Sequence, residues 1–443
     1  MKQRAARILM TCLMVALAAL PAFSARAGGG AADPNGRNSK KQPKPKTDPF
    51  VEKTAKVRHF YEGENIGDSY GWLGARLGDL NGDGINEYLV TAPWADGSQG
   101  KVYLYNGSNG KLLYVHAADS VQVLGYSAVD AGDVNQDGVS DYIVGGPAGD
   151  GRAVVFSGAD QSVLWDWTGI PMTSFGASVS GAGDLNGDDH ADLLVGSTRF
   201  NGTGKVDAFS GLDGSLLWTH NGNESGARLG SALGPVGDVN MDGVPDVVAG
   251  ADSGGPSGTG QAYVLSGVDG STLLTLEPTG VSGGTFAQFF ARAAGDLNHD
   301  GYPDVFIGDY AAENGNGKAY VYSGMDGSIL LEFNGQNGEG LGPGRVMEDL
   351  NGDGYNDLII AGWTYGPNAE GRVYLFSGKD GSILRTITGT IPNDNLGVDA
   401  LSVGDLTEDG RPELLLTAVG NDFSGTDVGR AYIVSIAPFK PDK

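Results

Sequence analysis

Asp79-Leu-Asn-Gly-Asp83-Gly-Ile-Asn-Glu87 is the stretch on which the reading of the whole chain turns. Carboxylates stand at positions 1, 5 and 9 of this nonapeptide, with Asn at position 3 and Gly at position 6. The same spacing returns from Asp133 to Asp141, Asp184 to Asp192, Asp238 to Asp246, Asp296 to Asp304, Asp349 to Asp357 and Asp405 to Glu413. The starts lie 51 to 58 residues apart. A fixed period of this length marks a solenoid or a propeller.

Each interval has the same interior. An apolar burst follows the acidic loop, as in Tyr142-Ile-Val144 or Leu193-Leu-Val195, and then a glycine-rich stretch of variable length. A second burst such as Lys318-Ala-Tyr-Val-Tyr322 runs into a turn such as Ser210-Gly-Leu-Asp-Gly-Ser215, then a third such as Leu216-Leu-Trp218. A fourth, such as Ala177 to Gly183, leads into the next acidic loop. β-branched and aromatic runs bounded by Gly, Asn, Asp and Ser are strand and turn chemistry. No stretch after residue 27 reads as an amphipathic helix. The expected fold is all-β: a seven-bladed β-propeller of four-stranded antiparallel blades. With strands ordered A, acidic loop, B, C, D, the last unit supplies A (398 to 404), B (414 to 418) and C (430 to 435) but no D. Lys56-Val-Arg-His-Phe-Tyr61 stands where a D strand would precede the first A strand. The N-terminal strand is therefore expected to complete the last blade and close the ring, which removes an exposed sheet edge.

Three carboxylates crowded into one loop repel one another unless a cation sits among them. Hard oxygen donors in a flexible loop suit Ca²⁺ better than the rigid octahedron of Mg²⁺. The expected donors, with a backbone carbonyl at position 7, are Asp79, Asn81, Asp83, Ile85 and Glu87 in the first loop. In the second they are Asp133, Asn135, Asp137, Val139 and Asp141, and in the third Asp184, Asn186, Asp188, His190 and Asp192. The fourth offers Asp238, Asn240, Asp242, Val244 and Asp246, and the fifth Asp296, Asn298, Asp300, Tyr302 and Asp304. Asp349, Asn351, Asp353, Tyr355 and Asp357 form the sixth set, and Asp405, Thr407, Asp409, Arg411 and Glu413 the seventh. Up to seven Ca²⁺ are expected. The third and seventh sites depart from the pattern: Asp189 replaces the position-6 Gly in one, and Thr407, Glu408 and Arg411 crowd the other. An EF-hand is rejected, because its loop needs Glu at position 12 and these loops carry Val90, Val144, Val195, Ala249, Ile307, Ile360 and Leu416 there. A plain Asp/Asn/Gly turn explains one copy, but not seven that keep an acid at position 9.

The N-terminus reads as a secretory signal peptide over residues 1–27: Lys2, Arg4 and Arg7, an apolar run from Ile8, then Ala25-Arg26-Ala27. The run is too short for a membrane span. The only cysteine, Cys12, falls inside it, so neither disulfides nor thiol chemistry is expected in the secreted chain. Residues 28–50 are Gly, Pro and Lys rich and read as a linker; the propeller is expected over 51–443. A net charge of −25 excludes nucleic acid and anionic membranes as partners of the folded part.

The repeats resemble the FG-GAP family, the propeller of integrin α subunits and its bacterial relatives. Phe175-Gly176 is the literal first element, with Leu-Gly at Leu73-Gly74, Leu124-Gly125, Leu229-Gly230 and Leu396-Gly397; the second survives as Thr91-Ala-Pro93 and Gly145-Gly-Pro147. The resemblance covers residues 51–436. It implies seven blades, calcium in the A–B loops, and an extracellular recognition role.

Strand order puts the A–B and C–D loops on one face and the B–C and D–A loops on the other. Variable loops on a stiff scaffold are where recognition usually sits. Trp94, Phe200, Tyr310, Trp363, Tyr365 and Phe423 lie in B–C stretches and could meet a ligand there or simply cover blade edges. Catalysis is not expected. His59, His116 and His220 fall on D strands and His190 and His299 inside acidic loops, and Gly280-Val-Ser282-Gly-Gly284 lacks the helix that a nucleophile elbow needs. The expected role is a monomeric adhesion module for an extracellular protein, secreted or at the cell surface or in the periplasm. A lectin with pockets between blades is the alternative, and a polysaccharide-cleaving enzyme the more distant one.

Overall fold

The computed structural model describes residues 48–255, 258–420 and 428–439. The signal-peptide segment, the linker up to residue 47 and Phe423 lie outside them.

Seven four-stranded antiparallel sheets make up the fold. The first blade is β2 (Gly74–Arg76), β3 (Tyr88–Ala92), β4 (Lys101–Tyr105) and β5 (Leu112–Ala117), in that order from the axis outward. The second is β6 (Ser127–Gly132) to β9 (Val163–Thr168), the third β10 (Phe175–Gly183) to β13 (Leu216–Asn221), and the fourth β14 (Leu229–Gly237) to β17 (Thr272–Leu276). The fifth runs from β18 (Ala291–Gly295) through β19 (Asp304–Asp309) and β20 (Lys318–Tyr322) to β21 (Ile329–Asn334). The sixth runs from β22 (Leu341–Met347) through β23 (Asp357–Gly362) and β24 (Arg372–Phe376) to β25 (Ile383–Thr388). In the seventh, β26 (Leu396–Gly404), β27 (Glu413–Ala418) and β28 (Arg430–Ile436) are joined by β1 (Ala55–Glu62) from the opposite end of the chain. Phe60 pairs with Tyr432 and Tyr61 with Ala431. The ring closes as the sequence predicts.

Strand position explains burial. The B strands, such as β7 (Asp141–Gly146) and β15 (Asp246–Ala251), are buried at every residue because a neighbouring blade covers each face. That is why they read as unbroken apolar runs instead of alternating ones. The D strands lie at the rim and expose residues such as Leu112, Val163, Leu216 and Ile383. Apolar side chains gather into seven clusters, one between each pair of adjacent blades. Each fully buried Val or Leu in them contributes about 1.5–3 kcal/mol. The packing reaches back into the stretch read as linker: Phe50 is buried, bridges Gly389 and meets the Tyr432 ring edge-on at 5.4 Å.

A glycine latches each blade to the next. The residue ending the B–C loop has a positive φ in every blade: Gly100, Gly151, Gly204, Gly260, Gly317, Gly371 and Gly429. At Gly204, Gly317 and Gly371 it forms a parallel bridge with the first residue of the next A strand. A Cβ on Gly317 would lie 2.1 Å from the Leu341 carbonyl oxygen, so neither a left-handed L-residue nor any side chain fits. Tryptophans add a second link at the rim. Trp165 Nε1 donates to the Gly211 carbonyl (2.8 Å) and Trp218 Nε1 to that of Gly267 (2.7 Å), each on the next blade.

Candidate metal loops and the aromatic face

The seven acidic loops share one geometry. The position-1 carboxylate caps the turn: Asp79 accepts from the amides of Gly82 (2.8 Å), Asp83 (3.1 Å) and Gly84 (2.7 Å). Asp133, Asp238 and Asp296 accept from the amides of positions 5 and 6 in the same way. The position-3 Asn takes the position-5 amide, and the position-5 Asp takes the position-7 amide, as in Asn135 with Asp137 (3.0 Å) and Asp137 with Val139 (2.9 Å). Side-chain oxygens that bind backbone N–H groups of their own turn are what make Asp and Asn turn residues.

Positions 4 and 6 are both left-handed in all seven loops. Position 6 is Gly wherever the sequence allows, and in the third loop Asp189 adopts the same conformation, with φ of 68°. Position 4 is Gly in only three loops; Gln136, Met241, His299 and Glu408 take it up in the others. Mixed residue types hid this second constraint from the sequence.

The position-9 carboxylates are buried and have their own task. Each accepts the position-2 amide of its loop: Leu80 to Glu87, Val134 to Asp141, Leu185 to Asp192, Val239 to Asp246, Leu297 to Asp304, Leu350 to Asp357 and Leu406 to Glu413. In blades one to six the other oxygen accepts the Gly amide of the C–D turn, for example Gly158 to Asp141 at 2.9 Å. Blade seven has no C–D turn, and Ser435 Oγ donates to Glu413 instead (2.8 Å). Sequence reasoning missed these turn glycines, although the repeated Ser-Gly-x-Asp-Gly-Ser carried the signal. Burial pushes Asp141, Asp192, Asp304 and Asp357 up to about 6 against the pull of the amide hydrogen bonds. The position-5 carboxylate adds to the rise, as Asp137 does for Asp141.

Among the described residues no three acidic or imidazole side chains converge as a finished ligand cluster. In loops two to six the position-3 amide nitrogen donates to the outer oxygen of the position-5 Asp (2.8–3.1 Å). The donor set is nonetheless all hard oxygen, and each carboxylate oxygen retains lone pairs beyond its amide bonds. Loops one to six thus fit a hard cation in chemistry. The third loop keeps every donor type; the His190 ring turns away to the Val134 carbonyl of the preceding loop (2.7 Å). The seventh does not fit: Arg411 Nη2 sits 2.6 Å from Asp409 Oδ2 and places a guanidinium where a cation would go.

The opposite face carries aromatics, and three of the six singled out in the sequence come together. Trp94 and Trp72 meet edge-on at 4.9 Å, Trp72 reaches Tyr126 (5.6 Å) and Phe289 (5.8 Å), and Tyr310 meets Trp363 at 6.4 Å. Leu73, Val398 and Val419 complete the cluster. Apart from Val398, which lies on β26, these side chains come from D–A and B–C loops of blades one, two, five, six and seven. Phe200 and Tyr365 stay apart from it, each beneath a neighbouring cation: Lys205 at 4.5 Å and Arg372 at 3.7 Å from the ring centres.

Family models match this chain in every repeat. An FG-GAP-like repeat model matches residues 79–144, 238–307 and 349–416, and an FG-GAP repeat model matches 175–209 and 293–322. All seven acidic loops fall inside those stretches. The chain belongs to the FG-GAP repeat family. Curated relatives of this FG-GAP protein include integrin alpha-V of Gallus gallus, 31% identical over 220 residues, covering 44% of this chain and 21% of the relative. Integrin alpha-5 of Xenopus laevis is 32% identical over 213 residues (43% and 20%), and integrin alpha-IIb of Homo sapiens 35% identical over 205 residues (41% and 19%). The matched segment thus spans about a fifth of the length of these relatives. Among solved structures, BBS1N from its complex with ARL6DN superposes with a TM-score of 0.55 at 12% identity, covering 89% of this chain and all of that one. That likeness concerns the fold alone.

Proposed function

We propose that this FG-GAP propeller is an extracellular recognition module that holds calcium in its acidic loops and docks a protein partner on the B–C and D–A face. The observation that carries the reading is the aromatic cluster. Trp72, Trp94, Tyr126, Phe289, Tyr310 and Trp363 form one asymmetric patch, to which blades three and four contribute nothing among the described residues. A lectin with a pocket between each pair of blades would repeat its aromatics around the ring. Trp94, Tyr126, Phe289 and Tyr310 lie partly buried over the buried Trp72 and Trp363, and half-covered aromatics grouped on one face suit a protein interface. The integrin α relatives give the same reading independent support. Among the described residues no helix is long and apolar enough to cross a membrane, and secretion rests on the reading of residues 1–27.

Calcium would be held by positions 1, 3, 5 and 9 and the position-7 carbonyl of loops one to six. Bound there, the cation would neutralise carboxylates that otherwise repel, and stiffen the face opposite the partner. Elemental analysis of the purified protein should find about six calcium ions per chain, and chelation should lower the thermal midpoint. An unchanged midpoint with fewer than two ions would remove calcium from the proposal. For the partner, capture from the native extracellular milieu with wild type and Trp94→Ala should differ in the protein retained. Saturable binding on a glycan array, with no protein captured, would favour the lectin instead.

A further inference from the structure

The seven A strands surround an axial channel of about 690 Å³, lined largely by small and apolar residues. Three arginines break that lining: Arg76 from β2, Arg292 from β18 and Arg345 from β22. Their partners are unequal. Arg76 pairs with Glu348 at 2.7 Å. Arg345 uses only Nη2, which reaches Asp399 Oδ2 (2.7 Å) and Oδ1 (3.0 Å) and the Gly74 carbonyl (3.2 Å). Its Nε is buried with no partner. Asp399 is already committed, since it also accepts the amides of Gly74 (3.0 Å) and Ala400 (2.9 Å).

Arg292 is left over. Among the described residues its single hydrogen bond runs from Nη1 to the Leu233 carbonyl at 3.4 Å. Among the described residues no carboxylate lies within ion-pairing distance of it. Asp130, the remaining acid in the lining, is held by Ser140 Oγ (2.8 Å) and the Gly132 amide (3.0 Å). Desolvation by burial and the charge of Arg345 pull Arg292 down to about 9, with Asp399 pulling the other way from beyond pairing distance, which still leaves it cationic at neutral pH. A chain with 54 acidic and 29 basic residues therefore places a guanidinium that no carboxylate pairs directly, beside a half-used one, inside its own axis. Enclosing a charge without a direct ion pair is costly. Both arginines also line a recess of about 40 Å³ beneath Trp72, Phe289, Tyr310 and Trp363, which gives them an apolar wall.

We propose that the channel binds a small free oxyanion, a carboxylate or a tetrahedral sulfate-type group, between Arg292 and Arg345. The fork of N–H donors that a guanidinium presents matches the oxygens of either class. The site uses neither the loop carboxylates nor a docked partner, so it stands or falls apart from the function proposed above.

Isothermal titration of the intact protein with sodium sulfate, and separately with sodium acetate, at matched ionic strength tests it. Wild type should bind at least one of the two saturably with a single site. Arg292→Gln should weaken that binding at least tenfold, and Arg292→Lys, which keeps the charge but not the fork, should fall between. In anion-free buffer Arg292→Gln should melt no lower than wild type, because it removes a charge that no carboxylate pairs directly; a structural arginine would give a lower midpoint. No saturable binding by wild type, or binding that Arg292→Gln leaves unchanged, overturns the proposal. Should Arg292→Gln fail to fold, Arg292→Lys carries the comparison: equal affinity for both anions in Lys and wild type would overturn it.

Discussion

Gly315 and Gly317 lie two residues apart in the B–C loop of the fifth blade, and both are left-handed, with φ of 88° and 82°. A Cβ on Gly315 would meet nothing within 4 Å, whereas one on Gly317 would lie 2.1 Å from the oxygen and 2.2 Å from the nitrogen of Leu341. The two alanine variants therefore share the conformational term and differ only in the approach between blades. The left-handed conformation costs an L-residue about 1–2 kcal/mol. Gly317→Ala must also push back the first residue of β22, and the nearest atoms are backbone, which cannot rotate away. Forced overpacking costs about 1–3 kcal/mol more. It also threatens the Gly317–Leu341 bridge and the 2.9 Å hydrogen bond from the Leu341 amide to the Asn316 carbonyl. Equilibrium urea unfolding of both variants should show Gly317→Ala less stable than Gly315→Ala by roughly 1–3 kcal/mol. Equal destabilisation would refute the reasoning, since it would mean that the close contact between blades does not constrain this position.

Three further outcomes are expected. Burial lowers His116 to about 4, against a hydrogen bond with Gln161 that favours the charged form, so the folded protein refuses a proton that the unfolded chain accepts below 6.5. That contribution is complete above pH 6.5 and is lost as pH falls towards 4, by up to about 3 kcal/mol; the stability gap between wild type and His116→Phe, measured by urea unfolding from pH 7.5 to 4.5, should narrow accordingly. Trp218→Phe keeps the apolar ring but leaves the Gly267 carbonyl without its 2.7 Å donor, and should cost about 1 kcal/mol in the same assay. Arg411→Gly removes the guanidinium from Asp409 and should raise the calcium count by one ion in elemental analysis; an unchanged count would show that Arg411 is not what keeps the seventh loop apart.

The seven blades, their strand order and the closure by β1 were legible in the chain because each is written in short-range chemistry. The acidic nonapeptide recurs with its own turn residues, and the B strands advertise burial on both faces through unbroken apolar runs. Other features were hidden by mixed side chains. Gln136, Met241, His299 and Glu408 adopt a glycine-like conformation that local amide bonds to position 1 enforce and residue type alone does not announce. The position-9 acids read only as candidate ligands, yet those of blades one to six also tie their loops to the C–D turn about 20 residues on.

The residues by themselves determined what repeats: the period, the strands, the donor chemistry of the loops. Only the closed ring decided what is singular. Tyr126 and Phe289 meet at 5.8 Å across 163 positions of chain, and Arg292 and Arg345 share a lumen that no single blade contains. Local sequence fixes torsions and turns, but the axis exists only once seven sheets have packed around it, and with it come the aromatic face and the unpaired charge.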